Sequence, residues 1–156
     1  MTFLERSRDP EAHKHWYGDM EASYLYSTGI AGERFFTALR DKGKIMGATC
    51  PKCKKTMLPP RMYCEVCFSE TGKWVDVGKE GRVDTFSVAQ VDMDGEPLEE
   101  PVVYGLIRFP KVEGGIIHII DAKPEKVKIG MRVKAKLNPK KDRTGSILDI
   151  RNFVPL

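Results

Sequence analysis

Apolar and polar residues alternate with a period of two through much of the second half of the chain. The cleanest case sets Met131, Val133, Ala135 and Leu137 against Arg132, Lys134 and Lys136. One face of such a strand meets a core and the other, here basic, meets water. Residues 82–93, 102–109, 115–121, 131–137 and 146–154 read as five β-rich runs, separated by Gly- and Pro-containing breaks. The first run is long for a strand, as a strand that bends between two halves of a barrel must be. The first forty residues carry the helical period instead. Trp16, Met20 and Tyr24 fall at i, i+4 and i+8, interrupted by Gly18, and Ala31, Phe35, Ala38 and Leu39 share one face of a second helix over 30–42. Arg40 and Lys42 favour its C-terminal end, and Gly43 follows as a C′ residue.

Five strands in about 75 residues, with a short helix-capable segment after the third, predict a Greek-key barrel of the oligonucleotide/oligosaccharide-binding (OB) type. A small sandwich is the alternative. The expected class is mainly β with N-terminal helices and a rubredoxin-like zinc ribbon ahead of the barrel. The expected division is a helical segment over 1–43, the ribbon over 44–77 and the barrel over 78–156. Residues 1–43 hold too little apolar material for a core of their own, so they must dock on the rest of the chain or on another protein.

All four cysteines fall in one stretch, as Cys50-Pro51-Lys52-Cys53 and Cys64-Glu65-Val66-Cys67, with ten residues between the pairs. Two such knuckles present four thiolates to one ion, and zinc suits a closed tetrahedral sulfur site. Iron can use the same ligands. Two disulfides would require an oxidising compartment, and the N-terminus lacks the apolar core of a secretory signal. A closed four-sulfur site leaves no position for a reacting water, so its role is architectural. Lys52, Lys54, Lys55 and Arg61 flank the thiolates and offset their excess negative charge.

Composition narrows the class further. Hydrophobic residues at 41% and charged residues at 31% are those of a globular chain rather than a disordered one. No apolar run approaches the roughly 20 residues of a membrane span, and the expected location is cytoplasmic. The net charge of +4 is unevenly spread. Asp84, Asp92, Asp94, Glu96, Glu99 and Glu100 fall in one stretch without a base, whereas residues 123–143 hold nine bases and two acids. Such a basic segment fits an anionic ligand or a solvated lysine face. His13 and His15 lie on different helix faces. His118 sits in an apolar run and reads as a core residue.

The ordered set Cys50, Cys53, Pro59, Pro60, Arg61, Cys64 and Cys67, followed by Gly81-Arg82-Val83, Tyr104-Gly105-Leu106 and Ile129-Gly130-Met131-Arg132-Val133, resembles the zinc-ribbon/OB-fold family of acyl-CoA-associated proteins. The likeness runs over essentially the whole chain. One departure is Lys54, where the family often has glycine. The resemblance implies a non-catalytic scaffold subunit of a thiolase complex. In archaea such a protein bridges an acetoacetyl-CoA thiolase and hydroxymethylglutaryl-CoA synthase; bacterial relatives accompany thiolases or aldolases. It implies structural zinc and a shared site for CoA or acyl-CoA, with the chemistry on the partner. CoA joins a polyanionic head to a mostly apolar arm. Arg132, Lys134, Lys136, Lys140, Lys141 and Arg143 are the candidate cations for the head. Phe35, Phe36 or the barrel aromatics are the candidates for lining a channel.

Two other readings stand beside this one. OB barrels and zinc ribbons both serve single-stranded nucleic acids, and a basic strand suits a phosphate backbone. Against it stand the acidic stretch over 84–100 and the scarcity of aromatics for base stacking. Independent catalysis is the third reading. Zinc consumes every cysteine, and no Ser/His/Asp or paired-carboxylate pattern is tied to a recognisable turn.

Overall fold

The computed structural model describes residues 26–92 and 94–156. One helix, α1 (Gly29–Lys42), opens this part of the chain and buries Phe35 and Leu39. It stops where the sequence predicts. Gly43 takes the left-handed conformation (φ 62°), its N–H donates to the Leu39 carbonyl at 3.0 Å, and Lys44 N–H reaches Ala38 at 3.3 Å.

Nine strands follow. β1 (Met46–Thr49), β2 (Thr56–Leu58) and β3 (Lys73–Asp76) form one sheet with the two-residue strand β6 (Glu113–Gly114), in the order β3-β1-β2-β6. β4 (Glu80–Val91), β5 (Pro97–Arg108), β7 (Ile116–Ile120), β8 (Arg132–Leu137) and β9 (Ile150–Pro155) form a closed barrel in the order β4-β5-β7-β9-β8, with β8 pairing back onto β4. The β7–β9 contact is parallel and narrow, a single pair of Ile120 with Phe153.

The expected fold class needs correction on two counts. Among the described residues there is one N-terminal helix, not several; the stripe of Trp16, Met20 and Tyr24, with His13 and His15, lies outside them. The sheet that carries the cysteines is also not completed within the ribbon's own span. It is open, is not closed into a barrel, and takes its fourth strand from the connection between two barrel strands. Residues 110–114 read as a break, and two of them pair nonetheless. The reason is steric. Gly114 has φ 87°, and a Cβ there would overlap the Leu58 carbonyl, so only glycine lets the two backbones meet. The class is mainly β, with one helix and a cysteine cluster.

A single apolar core joins helix and barrel. Phe35, Leu39 and Ile45 belong to the same buried cluster as Val83, Val103, Ile107, Val133, Ile150 and Phe153. The alternation over 131–137 is seen as predicted, with Val133 and Ala135 inward and Arg132, Lys134 and Lys136 outward. The run over 146–154 is a strand only in its second part. Residues Ile147–Asp149 form a 3-10 turn whose start is capped by Ser146 Oγ, which accepts from Leu148 N–H at 3.2 Å. The buried Asp149 carboxylate accepts from the N–H groups of Thr144 and Gly145, at 2.8 and 2.9 Å, and so holds the preceding loop. In the opposite sense, β5 begins five residues earlier than the 102–109 run. Asp92 Oδ1 accepts from both Asp94 and Glu96 N–H at 2.9 Å, closing a hairpin turn that lets acidic residues enter the strand. No helix among the described residues is long and apolar enough to cross a membrane.

Candidate metal centre and apolar groove

The turn between β1 and β2 supplies Cys50 and Cys53, and the loop between β2 and β3 supplies Cys64 and Cys67. In each knuckle the backbone folds back on the first cysteine. Lys54 N–H donates to the Cys50 carbonyl at 3.0 Å, and Phe68 N–H donates to that of Cys64 at 2.9 Å. Both closing residues have positive φ, 58° at Lys54 and 56° at Phe68. That is the conformation for which glycine is the ordinary choice, so the departure at Lys54 falls where a side chain is strained. Thr71 steadies the approach to the second knuckle: its hydroxyl donates to the Arg61 carbonyl at 2.6 Å, and its N–H donates to Met62 at 2.8 Å.

The four Sγ atoms all lie within 4.8 Å of one another. Cys50 and Cys67 are 3.5 Å apart, and Cys53 and Cys64 3.9 Å. Tetrahedral ligation with metal–sulfur bonds of about 2.3 Å puts sulfurs about 3.8 Å apart, between the two. Cys53 N–H also points at Cys50 Sγ, at 3.3 Å. Geometry and donor set therefore fit a tetrahedrally held metal ion and are consistent with a structural zinc. Without a cation the four thiols cannot all ionise. Hydrogen bonding to Cys67 and burial push Cys53 up to about 12, while Ser69 holds Cys67 down to about 6. Cys50 and Cys64 are buried, and Cys53 and Cys67 are half-buried.

A second feature was not legible in the sequence. An apolar groove of about 590 Å³ lies where α1, the Pro59-Pro60 turn and the barrel meet. Ala31, Phe35 and Phe36 come from the helix, Leu106, Ile116 and Ile117 from β5 and β7, and Ile147 from the 3-10 turn. Phe35 and Phe36 meet edge to face, with ring centroids 5.2 Å apart. Both phenylalanine candidates thus line one groove, Phe35 largely buried and Phe36 half-buried.

The six candidate cations are not gathered at this groove. Arg132 and Lys134 both pair with Glu80 on the outer barrel surface, at 3.1 and 3.6 Å. Lys136, Lys140 and Lys141 are exposed and make no ion pair among the described residues. Arg143 is structural: Nε donates to the Asn138 carbonyl at 2.8 Å and Nη1 to that of Arg40 at 3.4 Å, fastening the end of α1 to the barrel loop. Of the cations beside the cysteines, Lys55 pairs with Glu113 at 3.4 Å and Arg61 pairs with Glu65. His118 is buried, as expected for a core residue, with its ring 6.0 Å from that of Phe153.

Fold and cysteine cluster together define a zinc-ribbon and OB-fold protein, and comparison with known proteins names the family. Residues 37–71 match the rubredoxin-like zinc ribbon domain of ChsH2, and residues 74–138 match its C-terminal OB-fold domain. The chain belongs to this zinc-ribbon/OB-fold DUF35/ChsH2 family. It is 30% identical over 105 residues to a DUF35 domain-containing scaffold protein of Methanocaldococcus jannaschii, covering 65% of this chain and 73% of that one. It is 23% identical over 101 residues to a scaffold protein of the same description from Pyrococcus furiosus, covering 65% and 74%. Among solved structures it is similar to a DUF35-family protein of Sulfolobus solfataricus, with a TM-score of 0.62, 39% identity, and coverage of 69% of this chain and 78% of that one. It also shares its fold with the Ltp2-ChsH2(DUF35) aldolase, with a TM-score of 0.62, 19% identity, and coverage of 84% and 98%.

Proposed function

We propose that this chain is a non-catalytic scaffold subunit. In this reading it binds the apolar arm of acyl-CoA and presents it to thiolase-type or hydroxymethylglutaryl-CoA synthase-type enzymes, sharing their CoA site. The observation that carries the reading is the groove between α1, Pro59-Pro60 and the barrel. Its apolar lining and volume suit a pantetheine arm. The cysteine cluster, filled by zinc, holds Pro59 and Pro60 against that groove and takes no part in chemistry. The relatives named as scaffold proteins support the non-catalytic role. The cationic head of the site is its least complete part, since none of the six candidate cations lines the groove. The Arg40 side chain passes Gly145, two residues before Ile147. A partner enzyme supplying further cations completes such a site.

The test is calorimetric titration of the zinc-loaded chain with CoA and with an acyl-CoA, alone and with the partner enzyme present. Replacing Phe36 by Asp puts a charge in the groove while leaving the buried Phe35 in place. Weakened acyl-CoA binding at unchanged zinc content is the expected result. Equal binding by both chains removes the groove from the reading, and turnover by the purified chain removes the scaffold role.

A further inference from the structure

The outer face of β5 and β7 is apolar up to Arg108 at the end of β5, and it is continuous with the groove through Leu106 and Ile117. Register places Leu106 beside Ile117 and Tyr104 beside Ile119, all four on the side away from the barrel core. Ile117 is 70% exposed and Tyr104 42%. Together with Leu106 and Ile119 they make a contiguous apolar patch, the kind of surface that marks an interaction site.

This face runs on into an arm. β7 ends its pairing at Val103, whereas β4 and β5 continue to the pair Val91 and Pro97. The arm therefore has two strands only, and such a hairpin is marginal by itself. Val91, Leu98, Val102 and Tyr104 line a shallow depression on it. Asp92 is the charged residue that lines it, and along the arm the charge is of one sign. No lysine or arginine occurs between Arg82 and Arg108, while Asp94, Glu96, Glu99 and Glu100 make no ion pair among the described residues. Asp84 alone of the stretch is neutralised, by Arg108 at 2.9 Å.

We infer that this face and arm form a docking surface for a folded protein whose own apolar patch is rimmed by lysine and arginine. Charge decides the occupant. A polynucleotide would meet, beside the face where an OB barrel would otherwise stack bases, an arm that carries unpaired carboxylates and no basic residue. A second copy docking through the same face would set acid against acid. A basic-rimmed protein instead gains complementary charge around a buried apolar centre, the usual anatomy of a specific interface. The inference rests on the scaffold reading and adds to it which surface meets the partner.

The experiment uses the full, zinc-loaded chain co-expressed with the thiolase-type enzyme of its source organism, with affinities measured at low and high salt. Three variants are compared with the parent: Tyr104→Asp, Glu99→Lys with Glu100→Lys, and Lys128→Glu on a distant loop. Tyr104→Asp is expected to weaken the complex about thirtyfold, as for a central aromatic anchor. The double charge reversal is expected to weaken it about tenfold and to flatten its salt dependence. Lys128→Glu is expected to stay within about twofold. Circular dichroism and zinc content establish that each variant folds. A parent complex that tolerates Tyr104→Asp and the charge reversal overturns this surface and leaves the scaffold reading intact. Absence of any complex with the parent overturns both. Concentration-dependent self-association of the free chain, abolished by Tyr104→Asp, assigns the face to a second copy, and oligonucleotide binding abolished by the same change assigns it to nucleic acid; either overturns the proposal.

Discussion

Gly114 runs parallel to Leu58 at the one place where the cysteine-bearing sheet borrows a strand from the barrel's own sequence. The Lys55–Glu113 ion pair lies beside the same junction. Any side chain at 114 would enter the Leu58 carbonyl, and φ 87° already excludes other residues without strain. Gly114→Ala is therefore expected to cost about 2–3 kcal/mol. Thermal unfolding would show it as a drop of roughly 5–10 °C in Tm. An unchanged Tm would mean that the two sheets are not mechanically joined here.

Lys54 offers the opposite sign. It is exposed and held at φ 58° by the fold of the first knuckle. A left-handed conformation costs a non-glycine residue about 1–2 kcal/mol, and glycine loses about 0.5–1 kcal/mol of that gain to its greater freedom when unfolded. Lys54→Gly should thus stabilise the chain by about 0.5–1 kcal/mol in denaturant titration of the metal-loaded protein. Destabilisation would point instead to a role for the lysine charge beside the thiolates.

Removal of the metal should act locally before it acts globally. The second cluster of buried residues, Cys50, Met57 and Cys64, is too small to hold β1 and β2 without an ion. Elemental analysis should find one zinc per chain. Chelation, or Cys64→Ser, should expose the amides of residues 46–76 to hydrogen exchange while those of β5 and β7 stay protected. Uniform protection after chelation would show that the ribbon stands without its ion.

His118 predicts a pH dependence. Burial pushes its pKa below the ordinary 6.5, and backbone contacts with Ile147 and Ile119 offset this only in part. A base whose folded pKa is lowered binds fewer protons folded than unfolded. Its stabilising contribution is whole above pH 6.5 and declines as pH falls from there through the folded value. The slope from this one group is at most about 1.4 kcal/mol per pH unit. His118→Gln should flatten the stability curve on that acidic flank. An unchanged slope would place the acid sensitivity elsewhere.

Much of this architecture is legible in the chain because its signals are local. Four thiols at two fixed short spacings can meet around one ion, and the knuckle turns are made by adjacent residues. Alternation over 131–137 marks an inner and an outer face whatever lies opposite, and Gly43 stops α1 through its own conformation. Phe35 and Phe36 are candidates for lining a channel only through family resemblance.

What the tertiary structure alone decided depends on residues far apart in sequence. The groove is built from a helix, a turn, two barrel strands and a loop, and no window of sequence contains it. Arg143 looks like a free cation until it is seen holding the Arg40 carbonyl. The four unpaired acids read as a charge run until pairing shows that they sit on a two-stranded arm extending past β7. Sequence period reports which side of an element faces inward; it carries no information about what a distant segment sets against the other side, because that is settled by packing free energy summed over the whole chain.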